Sequence, residues 1–254
     1  MFLFYIKKLI RCPATYIAAF ALFLSMVFSV VPFPSAWPLY LFQYATDIGV
    51  ANYFIPVASV LPICYVRHAL QTDGAWQFPL MHTSPRRYSV SGLLAACTSG
   101  ALVMLLALVM FFVFTVLAFP GPVSFKECLY SGIEPFYRKL SGVQKYGIRS
   151  LIFLVNGAVW AAVAYGVSSI TSNQYLCASA PFVLYIGLGY LIQTLHIIDP
   201  EHWIYPDPMQ LLLTGDVALQ PDGGLLYLAT YALTVFFLCG ILFHIRLKRR
   251  LKHG

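Results

Sequence analysis

The chain has 254 residues, 60% of them hydrophobic and only 10% charged, with a formal net charge of +7 and a mean hydropathy of +0.77. A soluble domain carries about 25% charged residues, so this chain lacks the polar surface to cover a globule, and its apolar content excludes disorder. What remains is a polytopic membrane protein of about six spans with short connections.

The N-terminal residues Phe2 to Arg11 set Lys7, Lys8 and Arg11 on one helical face, with Phe2, Phe4, Ile6, Leu9 and Ile10 largely elsewhere, which predicts a short helix lying in the membrane interface. Five windows without Lys, Arg, Asp or Glu follow: Cys12 to Thr46, Ile48 to Val66, Tyr88 to Phe125, Ser150 to Ile198, and Gly223 to Ile245. A crossing needs about 20 apolar residues, and its backbone groups must be satisfied internally, so each crossing is expected to be a helix. Breakers divide the windows. Pro32, Pro34 and Pro38 end the first span (14–31). The second (49–66) is expected to be interrupted by Pro56 and Pro62. The third (92–119) stops at Pro120. The fourth window holds two spans (150–169 and 175–197) about a polar hinge from Ser168 to Gln174, and the last span is 225–245. The whole chain is then one transmembrane domain, all-α, with six transmembrane helices, an N-terminal interfacial helix and outer loops at 120–149 and 199–224. The windows are too long and too unpatterned for barrel strands.

Six spans put both termini on one side. That side collects Lys7, Lys8, Arg11, Arg67, Arg86, Arg87, Arg246, Lys248, Arg249, Arg250 and Lys252, against Lys126, Arg138, Lys139, Lys145 and Arg149 on the other. The bias of Lys and Arg predicts cytoplasmic termini. It also accounts for the positive charge as topology, with no nucleic-acid partner.

Catalytic chemistry is not visible. The three glutamates, Glu127, Glu134 and Glu201, all fall in outer segments, and neither a nucleophile elbow nor a P-loop is present. The six cysteines form no zinc spacing and no disulfide framework, and Cys128 alone is expected in an outer loop. His196, Asp199, Glu201, His202 and Asp207 cluster after the fifth span without a compact ligand spacing, so a solvated loop is expected and no metal is assigned. Carriers coupled to ions usually bury a charge in a span. None is predicted here, and Asn156, Gln193 and His196 are the polar residues expected in spans four and five. Energy is therefore expected from another chain.

The cytoplasmic segment between spans two and three, 67–87, carries the most information. Asp73-Gly74 signals a turn, Trp76, Phe78, Leu80 and Met81 make an apolar patch, and Ser84-Pro85 precedes the pair Arg86-Arg87. Large apolar knobs on a short element suit docking into a groove on a cytosolic partner.

Here the chain resembles the membrane subunit of ATP-binding-cassette exporters of the type-two permease class. The resemblance covers the whole chain: interfacial basic helix, six spans, basic tail. In the segment between spans two and three Gly74, Trp76 to Met81, Pro85, Arg86 and Arg87 follow the order of the family's coupling helix. Departures are the absent Glu before the Gly, with Gln71 and Asp73 in its place, the Pro lying directly against the Arg pair, and the missing Lys at the start of span three. The resemblance implies ATPase-coupling residues Gln71, Asp73, Gly74, Trp76, Phe78, Pro85, Arg86 and Arg87. It implies a cytosolic P-loop ATPase partner that carries ATP and Mg, a second permease subunit, identical or not, and a site in the cell membrane. It also implies a fifth span broken into a re-entrant outer half; Pro181, Gly187 and Gly189 permit such flexibility, and ordinary small-residue packing explains them equally well. The expected activity is export of an amphipathic substrate such as a peptide, drug or lipid-linked molecule, with no catalysis and no cofactor on this chain. The alternatives are a non-transporting membrane partner, such as an immunity or sensor protein, and a membrane enzyme of unrecognised type.

Overall fold

The structure is a computed structural model that describes residues 2–31, 38–47, 49–72, 83–119, 141–198 and 224–253. All regular structure among these residues is helical. In chain order the elements are α1 (Phe2–Arg11), α2 (Pro13–Val30), α3 (Pro38–Asp47), α4 (Ala51–Thr72), α5 (Pro85–Ala118), α6 (Gly142–Val167), α7 (Gln174–Ile198) and α8 (Gly224–His253). Six of them, α2 and α4 to α8, are long and apolar enough to cross a membrane.

The packing is that of a membrane bundle. The outward faces carry large apolar side chains, for example Ile17, Phe20 and Phe28 on α2 and Leu233, Phe237 and Leu238 on α8. Small and hydroxylic residues turn inward instead, including Ala18, Ser25, Ser59, Ala96, Ser99 and Ala161. Lipid offers no hydrophobic penalty for exposed Leu or Phe, so association is driven by close backbone approach and buried polar contacts. The chain is a multi-pass membrane protein.

The most extensive pairing is α5 with α6. Gly100 and Gly157 permit it: a Cβ on Gly100 would lie 2.2 Å from the Gly157 carbonyl oxygen, and one on Gly157 would lie 2.4 Å from Met104 Cγ. Around this pair α4 contacts α2, α5, α6 and α7, while α8 packs on α5 and α6. A single residue, Cys12, joins α1 to α2. The elbow is set by Pro13 in the first turn of α2 and by the Thr15 hydroxyl, which donates to the Leu9 carbonyl at 2.7 Å. A helix is present over Phe2 to Arg11, where one was predicted.

Several boundaries differ from expectation. The helix that carries the third span begins at Pro85, ahead of the expected span start at 92, because Ser84 caps it and Pro85 suits the first turn. At about 1.5 Å per residue its 34 residues reach about 50 Å, so its first turns stand outside about 30 Å of hydrocarbon. The helix that carries the fourth span begins at Gly142, ahead of the expected span start at 150: Ser141 and Gln144 form a reciprocal capping box that starts the helix inside the predicted outer loop. The second span runs unbroken through Pro56 and Pro62 to Thr72, since neighbouring helices and hydroxyls compensate for lost backbone bonds within a bundle. The fifth is also one continuous helix, through Pro181 to Ile198, with no re-entrant break. The last span continues to His253, carrying the basic tail out as helix. The unpredicted α3 lies in the first charge-free window and buries Leu41, Phe42 and Ala45. The polar hinge is where it was expected: Ser168 and Ser169 hydroxyls take up the Tyr165 and Gly166 carbonyls at 2.7 and 2.6 Å, and Asn173 accepts from the Tyr175 amide at 2.9 Å to start α7.

Alternation of direction sorts the side chains to two ends. At one end α3 presents Phe42 to Tyr146 and Phe153 of α6, with Phe112 of α5 also on Tyr146. At the other end meet α1, the C-terminal turns of α4, α6 and α8, and the N-terminal turns of α5. Both ends of the described chain therefore lie at the same end of the bundle.

Candidate functional site

That second end is organised around Arg67. The sequence places it as a loop residue flanking the second span. In the structure it sits inside α4, more than a turn before the helix ends, and is 6% exposed. Its Nη1 donates to the Tyr88 hydroxyl of α5 at 3.1 Å. Its guanidinium carbon lies 4.7 Å from the ring centre of Phe243 on α8 and 5.6 Å from that of Tyr165 on α6. Tyr165 and Phe243 stack on each other at 4.2 Å, with ring planes 20° apart, and Tyr88 stacks more loosely on Phe243 at 6.3 Å. Tyr5 of α1 meets Tyr88 edge-on at 6.3 Å. One cation thus gathers five helices.

The electrostatics follow from burial. A desolvated cation costs several kcal/mol unless compensated. Around Arg67 the compensation comes from ring faces, whose negative quadrupole attracts a guanidinium, and from phenol oxygens. Burial, reinforced by Tyr88 and opposed by the Arg67 charge, holds the Tyr5 phenol well above its usual range. Arg67 Nε, buried, has no hydrogen-bond partner. The planar fork explains why arginine and not lysine fits: it stacks on two rings while donating sideways to a third.

The rest of the cluster fixes these rings. The Tyr165 hydroxyl donates to the Ser89 carbonyl oxygen at 3.0 Å, and Gly92 leaves room for that ring, since a Cβ there would lie 2.4 Å from the Tyr165 oxygen. The Ser89 hydroxyl donates to the Pro85 carbonyl at 2.9 Å and lies 3.4 Å from His244 Nδ1 on α8.

Of the residues implied in ATPase coupling, Gln71 lies in the last turn of α4, and Pro85, Arg86 and Arg87 form the first turn of α5. Arg86 and Arg87 are exposed, and the Arg87 amide donates to the Ser84 hydroxyl at 3.4 Å. Asp73, Gly74, Trp76 and Phe78 lie outside the described residues. The described residues on either side of this segment are therefore helix ends, and Arg67 clamps one to the other through Tyr88. Sequence reasoning missed Arg67, Tyr5, Tyr88, Tyr165 and Phe243. The available signal was an arginine followed by helix-forming residues up to Thr72, which places it inside a helix and not beyond one.

The placement of charges expected in loops is a correction as well. Lys145 and Arg149, expected in the outer loop 120–149, stand in the first turns of α6 and are 8% exposed each. With Arg67 they make three buried cations in helices, each expected in a loop. Asn156 is wholly buried in α6, as its place in a span requires, and Gln193 and His196 lie on α7. The acidic residues and His202 of the predicted solvated loop lie outside the described residues, as does Cys128. Among the described residues no group of three or more His, Cys, Asp or Glu is placed to hold a metal, and the five cysteines there are unbonded.

Comparison with family models, curated proteins and solved structures gave no match.

Proposed function

We propose that the chain is the permease subunit of an ATP-binding-cassette exporter, seated in the cell membrane with both termini cytoplasmic and driven by a separate P-loop ATPase. The segment 73–82 would dock on that ATPase. A second permease subunit, identical or not, would complete the pore, and an amphipathic peptide, drug or lipid-linked molecule would leave along it.

The observation that best supports this reading is the Arg67 clamp. A docking segment does work only if its displacement moves the helices that line a path. Both helices flanking 73–82 are pinned together by Arg67 and Tyr88, and the same guanidinium touches rings from α6 and α8. Displacement at 73–82 is then shared by the bundle and not absorbed by one hinge. The basic residues at this end, including the exposed Lys7, Lys8, Arg86, Arg87 and Arg246, suit the cytoplasmic leaflet.

The test changes Asp73 and Trp76 together, to Asn and Ala. Association with the ATPase is expected to fall at least tenfold while membrane insertion and folding persist. Unchanged ATPase association and transport would remove the coupling role from this segment.

A further inference from the structure

A groove of about 450 Å³ runs between α1 and the C-terminal half of α4. Its walls are Phe4, Cys12, Pro13, Tyr65, Val66 and Ala69, and its rim carries Lys7, Lys8 and Arg11. All three cations are exposed, and Lys8 Nζ is held 5.0 Å above the Phe4 ring. No carboxylate lines the groove among the described residues. Because α1 is joined through Cys12 alone to Pro13, the first residue of a helix long and apolar enough to cross a membrane, the cationic rim lies beside the end of that helix.

We propose that this groove holds one anionic phospholipid, with its phosphate at Lys7, Lys8 and Arg11 and an acyl chain along Phe4, Tyr65 and Val66. A free phosphate would leave the apolar wall unused. A zwitterionic lipid would leave the three positive charges uncompensated. An anionic phospholipid matches both parts. Because α1 also delivers Tyr5 to the Arg67 cluster, a bound lipid would hold α1 against α4 and keep that cluster assembled. This proposal rests on the groove and stands apart from the reading of the chain as a permease.

The test is native mass spectrometry of the intact purified chain after incubation with equimolar phosphatidylglycerol and phosphatidylcholine. One phosphatidylglycerol is expected to be retained in preference to phosphatidylcholine, and excess inorganic phosphate should not displace it. Removing the rim charges (K7Q, K8Q and R11Q together) should lower the preference by about fivefold per cation. Filling the groove with A69W, which keeps all three charges, should also abolish retention. The triple change R246Q, K248Q and R249Q, at the same end but away from the groove, should leave it intact. Retention unchanged in both groove variants, equal loss in the α8 variant, or displacement by phosphate would overturn the proposal.

Discussion

Arg67 is the residue on which this end of the bundle depends, because among the described residues it is buried between aromatic rings and held by stacking and one side-chain hydrogen bond. Arg67→Gln should therefore destabilise the folded chain by about 2 kcal/mol, the scale of a desolvated cation–π contact. Arg67→Lys should recover only part of that loss, since an ammonium cannot stack on Phe243 and Tyr165 while reaching Tyr88. Thermal unfolding in detergent checks both, and equal stability of the Lys variant and the parent would deny the role of the planar group. The same cluster sets a pH response. The unfolded Tyr5 phenol ionises near about pH 10, whereas the folded one is held neutral by burial beyond that range. Above about pH 10 the unfolded state binds fewer protons than the folded state, so stability falls as pH rises there and is unaffected below. Tyr5→Phe should flatten that alkaline decline in unfolding midpoints. None of this was legible from composition. The charge-free windows found Arg67 only as a boundary, since a count of charges cannot say whether a helix continues past one.

At the scale of elements, two glycines of α6 make a matched test of the close approach to α5. Gly157 faces Gly100 and Met104, whereas nothing lies within 4 Å of a Cβ on Gly147. Gly157→Ala should cost about 1–3 kcal/mol through forced separation of the helices. Gly147→Ala should be neutral or stabilise by up to about 1 kcal/mol by lowering backbone entropy. Unfolding midpoints of the two single variants decide it, and a similar loss in both would show that the helices are not held by this contact. The existence of the spans was legible, because about 20 apolar residues without charge leave a helix as the only way to satisfy the backbone in lipid. Their ends were not. Ser84 with Pro85, and Ser141 with Gln144, start helices through caps in polar sequence that a search for apolar windows passes over. Buried Lys145 and Arg149 lie in the early turns of such a helix, so a count of charge-free windows assigns them to a loop and misses their burial.

The whole molecule is a six-span bundle with α1 and the end of α8 on one side, and this parity was legible once the polar hinge divided the fourth of the five windows into two spans. Orientation rests on charge. In a variant whose sole cysteine is Cys128, an impermeant maleimide should label intact cells, while a sole cysteine at Lys252→Cys should react only after permeabilisation. The reverse pattern would invert the topology. The segment proposed to meet an ATPase was marked in sequence by its aromatic knobs, and the structure adds that both flanking helices are tied through one guanidinium. The account as a whole stands on whether this chain works with an ATPase. The most direct measurement is to isolate the intact chain from its native membrane and assay for a stoichiometric P-loop ATPase. The proposed function predicts that one copurifies with the parent chain and is lost when Asp73→Asn and Trp76→Ala are combined in a chain that still inserts. Isolation of the chain without such an ATPase, or an association indifferent to those two residues, would contradict it.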